Sequence, residues 1–166
     1  MDLYLVRHAA AFERDPESWP DDSQRPLTPK GKKRFGRAAR GLKQIVPEVE
    51  LLLSSPYTRA WETARILEDK AHWIVPIRFE ALQPEYSPAQ VVEALRAHAA
   101  SNSIALVGHE PNLHELASYL LAGDAELTLF EMEKGGVVGL HIEGDLQPRS
   151  ASLLWLLTPD VLKSLQ

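Results

Sequence analysis

Short apolar runs alternate with longer segments that begin at a proline, and this alternation predicts the fold. Four runs have the length and composition of buried strands: Leu3–Val6, Leu51–Leu53, Ile74–Phe79 and Ile104–Val107. Five prolines stand where a helix is expected to begin, because proline at the first helical position lacks an N–H that would have no partner there. These predicted helix starts are Thr28-Pro29, Ser55-Pro56, Ser87-Pro88, Glu110-Pro111 and Thr158-Pro159.

The pattern changes after Gly123. Three further apolar runs are joined by turns rich in Gly, Asp and Pro, which favours antiparallel pairing at Glu126–Met132, Gly136–Ile142 and Ser152–Leu157. Asp160–Leu165 predicts a short closing helix. The whole chain therefore predicts an α/β fold, a three-layer α/β/α arrangement with a mostly parallel central sheet and an antiparallel edge.

Composition limits the classes of protein that fit. With 166 residues and 45% hydrophobic content, the chain is the size of a single domain, and we expect one domain over residues 1–166. The absence of cysteine excludes disulfides, thiolate metal sites and a cysteine nucleophile. No apolar run is long enough for a membrane span or a secretory leader, so the expected location is cytoplasmic, with no membrane partner.

The charge distribution argues against a nucleic-acid partner. The formal net charge is −5, whereas binding to a phosphate backbone depends on clustered Lys and Arg. The one basic cluster comprises residues 30–34 with Arg37 and Arg40, and its spacing is typical of the solvated face of a helix.

The polar residues that follow the predicted strands carry the candidate chemistry. Arg7 and His8 end the first strand, Arg59 follows the second, and His109 follows the fourth. In open α/β sheets, ligands bind beyond the carboxyl ends of the strands, where helix N-termini also favour anions. Each residue alone could be a surface or turn residue. Together they predict a phosphate pocket in which one imidazole is the nucleophile.

Four segments together resemble the histidine phosphatase superfamily, which has the phosphoglycerate mutase-like fold. The segments read Leu-Val-Arg-His-Ala at 5–9, Arg-Pro-Leu-Thr-Pro-Lys-Gly at 25–31, Ser-Ser-Pro-Tyr-Thr-Arg-Ala-Trp-Glu-Thr-Ala at 54–64 and Val-Gly-His-Glu-Pro at 107–111. Within that superfamily the chain is most similar to the short SixA-type phosphohistidine phosphatases. The resemblance runs from residue 2 to about residue 157.

The resemblance implies a role for each matching residue. His8 would attack phosphorus and carry a covalent phosphohistidine, while Arg7, Arg59 and His109 would hold the phosphoryl oxygens. Arg25 matches a family element that approaches the phosphate from a loop, although it could equally be a loop arginine paired with Asp21 or Asp22. This chemistry needs neither a metal nor another cofactor.

The general acid is where this chain departs from the family pattern. The matching stretch, residues 81–86, reads Ala-Leu-Gln-Pro-Glu-Tyr, with proline where larger members carry a glutamate. Glu85 and Glu80 are therefore the candidates for the acid, and both could instead be ordinary exposed carboxylates. The lack of a strong general acid would slow the hydrolysis of phosphohistidine less than that of a phosphate ester, because an imidazole leaves more easily than an alcohol does.

Two features of the predicted pocket point to a protein substrate. The short connection from Glu80 to Tyr86 leaves no room for a helical lid, and the acidic segment 9–24 should lie at the pocket mouth. The main hypothesis is a metal-independent phosphatase acting on phosphohistidine of a signalling protein. The alternatives are a phosphatase for a small phosphomonoester and a phosphate-recognising binding module with weak turnover. A mutase is less consistent with the open pocket, because a mutase must retain a phosphorylated intermediate and an open pocket gives water easy entry.

Overall fold

The computed structural model describes residues 1–166 and contains one six-stranded sheet in the order β3-β2-β4-β1-β5-β6. Strands β1 to β4 pair in parallel, whereas β5 pairs antiparallel with β1, and β6 antiparallel with β5. This arrangement confirms the predicted α/β fold with an antiparallel edge. The strands are β1 (Asp2–Arg7), β2 (Leu51–Ser54), β3 (Ile77–Arg78), β4 (Ser103–Gly108), β5 (Val137–Ile142) and β6 (Ala151–Leu157).

Helices cover both faces of the sheet, and the sheet separates the hydrophobic core into two parts. The helices are α1 (Pro29–Ile45), α2 (Thr58–Ile66), α3 (Pro88–Leu95), α4 (Asn112–Ala122) and α5 (Pro159–Ser164). One core lies under α1, α2 and α5 and centres on Phe35 and Leu42; the other lies under α3 and α4 and includes Leu95 and Leu116. Successive strand residues point to opposite faces, so β1 contributes to both cores.

Three of the five predicted helix starts are confirmed. The hydroxyls of Thr28, Ser87 and Thr158 each accept a hydrogen bond from a backbone N–H in the first turn, and proline follows each of them. The other two helices begin slightly later than predicted. Helix α2 begins at Thr58 after Tyr57, and α4 begins at Asn112 with Pro111 itself at the cap position.

Two strand predictions are corrected by the structure. Segment 126–132 is not a strand, because its backbone bonds to α4 side chains instead of to a neighbouring strand. The Thr128 N–H donates to Ser118 Oγ at 3.0 Å, and the Thr128 carbonyl lies 2.6 Å from Nε2 of His114. Of the predicted strand 74–79, only the two residues of β3 form a strand, at the sheet edge, because Pro76 has no N–H to donate to a neighbouring strand.

The basic cluster of α1 is solvated, as predicted. Lys32 pairs with Glu62 at 2.5 Å, and Arg34 pairs with Asp160 at 3.1 Å, with both basic side chains exposed. None of the helices combines the length and the apolar character that crossing a membrane would require.

Candidate active site

The carboxyl ends of β1, β2 and β4 bring the predicted residues together. Arg7 of β1 lies in register with Gly108 of β4, so the residues that follow, His8 and His109, emerge side by side. The His8 N–H donates to the Gly108 carbonyl at 3.0 Å. The two imidazole ring centres are 5.3 Å apart. The sheet register therefore places a pair of histidines at one edge, as the sequence predicted.

His8 is held as a neutral imidazole with one fixed tautomer. Its side chain is buried, and its Nδ1 lies 2.8 Å from the Ala9 carbonyl. Because a carbonyl oxygen can only accept, Nδ1 carries the ring proton and Nε2 keeps its lone pair. Burial lowers the pKa of His8 to about 3, and the nearby cations Arg59, Arg7 and Arg25 act in the same direction. The ring is thus neutral, and the lone pair of Nε2 is free.

His109 is also buried and neutral, and it is positioned by a serine. Its Nε2 lies 2.8 Å from Ser55 Oγ. That hydroxyl accepts the Tyr57 N–H at 3.3 Å and can donate its own proton to Nε2, which leaves the ring proton on Nδ1. Burial, followed by the proximity of His8 and Arg59, lowers the pKa of His109 to about 2. Its buried Nδ1 has no hydrogen-bond partner. An unpaired buried ring nitrogen at this edge is available to a ligand.

Arg59 and Arg25 meet at one carboxylate. Nη2 of Arg59 lies 3.1 Å from Asp22 Oδ2, and Nε of Arg25 lies 2.8 Å from Asp22 Oδ1. Hydrogen bonding from Arg25, with the charges of both arginines, lowers the pKa of Asp22, so its carboxyl is ionised. Arg25 therefore forms the loop pairing with Asp22 that the sequence suggested, and it also lines the cavity; its contact with phosphate stays a prediction. Asp22 itself was not predicted as a site residue.

Arg7 is fixed by a tight turn that precedes β5. Its Nη1 donates to the Met132 carbonyl at 2.5 Å, and its buried Nε has no partner. The Gly135 N–H donates to the carbonyls of both Arg7 and His8, at 3.1 Å each. Gly135 has φ +83°, and a Cβ there would lie 3.0 Å from the Phe35 ring, so only glycine occupies this position of the turn without strain.

A cavity of about 540 Å³ opens above these residues. We call the four residues Arg7, His8, Arg59 and His109 the floor. The other nine lining residues form the rim: Phe12, Glu13, Arg14, Asp22, Arg25, Tyr57, Pro84, Glu110 and Lys134. Across the floor and rim, five basic side chains face three acidic ones, so the cavity favours an anion.

The two predicted candidates for the general acid lie outside this cavity. Neither Glu80 nor Glu85 lines it, although Pro84 between them does. Glu80 is exposed and accepts a hydrogen bond from Gln83. Two charged rim residues, Glu110 and Lys134, were missed by the sequence reasoning, whereas Asp22 belongs to the acidic segment 9–24 that was expected at the pocket mouth. Glu110 directly follows His109, so the same strand-end argument could have found it, whereas Lys134 lies beyond a segment mispredicted as a strand.

Comparisons with known proteins agree with this geometry. Residues 3–84 match the family model of the histidine phosphatase superfamily (branch 1). An uncharacterized protein of Picosynechococcus sp. (strain ATCC 27264 / PCC 7002 / PR-6) is 35% identical over 161 residues, which cover 95% of this chain and 96% of that protein. The chain belongs to the histidine phosphatase superfamily.

Solved structures show the same superfamily fold. The protein histidine phosphatase SixA in complex with tungstate superposes with a TM-score of 0.82 at 23% identity, covering 98% of this chain and 99% of SixA. A mycobacterial glucosyl-3-phosphoglycerate phosphatase superposes with a TM-score of 0.65 at 16% identity, covering 95% and 99%. The family match and these neighbours support a hydrolase of the phosphatase class.

Proposed function

We propose that this histidine phosphatase removes the phosphoryl group from phosphohistidine on another protein, through a covalent intermediate on His8. One observation carries the proposal: a buried, uncharged imidazole with an anchored Nδ1 stands among arginines in an anion-favouring cavity. A neutral nucleophile can attack phosphorus only while its lone pair is free, and burial, together with the surrounding cations, keeps it so. The proposal requires no metal or other cofactor.

The chemistry has two balanced steps. In the first, Nε2 of His8 forms a bond to phosphorus while the bond from phosphorus to the substrate imidazole breaks, and that imidazole takes a proton from solvent as it leaves. In the second, water attacks phosphorus, the bond to Nε2 breaks, and inorganic phosphate is released. Splitting one displacement into two steps lowers each barrier.

The remaining floor residues would stabilise the transferring phosphoryl group. Arg7 and Arg59 each keep an unpaired buried Nε, and His109 keeps an unpaired Nδ1. These donors lie in place before substrate arrives, which is the condition under which electrostatic stabilisation is most effective. Arg25 would join them once phosphate displaces the Asp22 carboxylate to which it is paired.

The shape of the cavity mouth supports a protein substrate. Its rim includes the exposed side chains of Phe12, Glu13, Arg14 and Lys134, and only a short turn at Glu80–Leu82 and a few further residues separate β3 from α3. A phosphorylated side chain could therefore enter without a lid having to open. The likeness to SixA, a protein histidine phosphatase, supports this substrate class. A cytoplasmic signalling role, expected from the sequence, is part of the proposal.

A small phosphomonoester is the second candidate substrate. A cavity of about 540 Å³ is in the range of small-molecule sites, and one structural neighbour is a glucosyl-3-phosphoglycerate phosphatase. A binding module with weak turnover is a third reading. It would need the cations of the floor but has no need of an unprotonated nucleophile, so the state of His8 favours an enzyme.

The test compares wild type with His8→Ala on a phosphohistidine peptide, a phosphohistidine-bearing transfer domain and a panel of small phosphoesters, all with EDTA. We expect His8→Ala to lower turnover by about 10⁴-fold or more, because it removes the nucleophile. His72→Ala, which truncates an exposed histidine, is the matched control. An acid-labile phosphoenzyme should form with wild type only.

The possible outcomes separate the three readings. Preference for phosphohistidine substrates, lost in His8→Ala, supports the proposal as stated. Preference for one small ester, also lost in His8→Ala, keeps the mechanism but assigns the second substrate class. No His8-dependent turnover on any substrate contradicts the enzyme, and loss of activity in EDTA contradicts its independence of metal.

A further inference from the structure

Glu110 places a carboxyl group beside the phosphate site that the proposed steps above leave unused. It follows His109 at the end of β4, lines the cavity and is half-buried. Its Oε1 accepts the His114 N–H in the first turn of α4, at 3.2 Å. Oε2 has no hydrogen-bond or ion-pair partner. One oxygen is therefore anchored at the start of a helix, and the other is free to carry a proton.

The surroundings of Glu110 favour its protonated form. Burial raises the pKa of Glu110, against the smaller opposing effects of Arg7 on β1 and of His114 on α4, while Glu115 on α4 raises it further. Desolvation outweighs the opposing cation and the hydrogen bond. A carboxyl group that keeps its proton nearer to neutral pH is suited to general acid catalysis.

The other carboxylates near the site are less suited to this role. Asp22 is ion-paired with Arg59 and Arg25, and its pKa is lowered, so it holds no proton near neutral pH. Glu13 is exposed on the rim. Glu80 and Glu85 do not line the cavity. Glu110 is the one carboxyl that combines partial burial, a place in the cavity and a free oxygen.

We propose that Glu110 is the catalytic residue that gives a proton to the leaving group and later takes one from water. This inference rests on the proposed His8 mechanism. As Nε2 of His8 bonds to phosphorus and the bond to the leaving atom breaks, the Glu110 proton moves to that atom. Water then attacks the phosphohistidine, and its proton passes to the Glu110 carboxylate. The cycle returns both residues to their starting forms and releases phosphate.

Glu110→Gln separates acid catalysis from a structural role. Glutamine can still accept the His114 N–H, so the start of α4 keeps its hydrogen bond while the acidic proton is lost. Glu110→Ala removes both the hydrogen bond and the acidic proton, so its Tm measures how much this hydrogen bond stabilises the fold. Glu85→Gln is the matched control, because it changes one of the two carboxyls that the sequence offered as candidates for the acid. The substrates are phenyl phosphate, whose leaving group needs a proton, and 4-nitrophenyl phosphate, whose leaving group does not.

We expect a loss that depends on the leaving group. Glu110→Gln should lower kcat by about 10²-fold or more with phenyl phosphate and by less than about tenfold with 4-nitrophenyl phosphate. With phenyl phosphate, wild-type activity should fall as pH rises through the pKa of Glu110, because the donor loses its proton. That alkaline fall should be absent in Glu110→Gln, and the Tm of this variant should equal that of wild type.

Three results would overturn part of this scheme, and each is distinguishable. An equal loss with both substrates would make Glu110 a positioning residue instead of the proton donor. A loss that depends on the leaving group in Glu85→Gln, with none in Glu110→Gln, would assign the acid to Glu85. Full turnover in His8→Ala would contradict the proposed function itself, whatever Glu110 does.

Discussion

The floor and the rim of the cavity both carry arginine, but they are built in different ways. Three of the four floor residues, His8, Arg59 and His109, are buried, and their backbones follow directly from the strand register or from α2. Rim residues such as Arg25 and Lys134 come from irregular segments and are more exposed. The floor is therefore organised before any ligand arrives, whereas the rim can adapt to what enters.

The largest difference between the two regions should appear when one arginine of each is removed. Arg59→Met keeps the length of the side chain but removes a buried guanidinium, and we expect kcat/KM to fall by about 10²- to 10³-fold. Arg25→Met, on the rim, should lower kcat/KM by about tenfold. Steady-state kinetics with 4-nitrophenyl phosphate measures both. Equal losses in the two variants would show that the floor has no special role.

The strand ends explain why the floor could be predicted from sequence and much of the rim could not. His8 and His109 each follow an apolar run, so local pattern was enough to place them. The segment that carries Asp22 was expected at the pocket mouth, but its ion pair with Arg59 was not. Lys134 reaches the cavity through a long connection whose path depends on tertiary contacts, such as the bond from Gly135 to Arg7. The same limit led to the wrong strand at 126–132, because its backbone partners are α4 side chains, which no local pattern shows.

The buried histidines of the floor should make folding sensitive to mild acid. The pKa values of His8 and His109 lie at about 3 and about 2, below the usual value near 6.5, so the unfolded chain binds more protons as pH falls below about 6.5. Stability is therefore lost between about pH 6.5 and pH 3. At pH 5 each of these histidines should lower the free energy of unfolding by about 2 kcal/mol relative to pH 7.

Urea unfolding at pH 7 and pH 5 tests this linkage. The double variant His8→Asn with His109→Asn should lose less stability over that interval than wild type, by about 4 kcal/mol. His72→Asn, which changes an exposed histidine, should behave as wild type. The same pH dependence in the double variant and wild type would contradict the neutral, buried state of the floor imidazoles.

The smallest effect is expected on the rim, at the carboxylate shared by two arginines. Asp22→Asn keeps the shape of the side chain but removes a negative charge that competes with phosphate for Arg59 and Arg25. We expect inorganic phosphate to bind about fivefold more tightly, which corresponds to about 1 kcal/mol. Calorimetric titration measures it, with Asp21→Asn as the exposed control. Weaker binding in Asp22→Asn would mean that this carboxylate mainly holds the arginines in position.

The central position of β1 has a consequence for synthesis of the protein. The strand that ends in Arg7 leaves the ribosome well before both of its neighbours, Ser103–Gly108 and Val137–Ile142. Contacts of such long sequence separation form slowly. His8 is therefore translated well before the strands that position it. A nascent or truncated chain that lacks β5 should have no assembled nucleophile, so activity appears only with the finished fold.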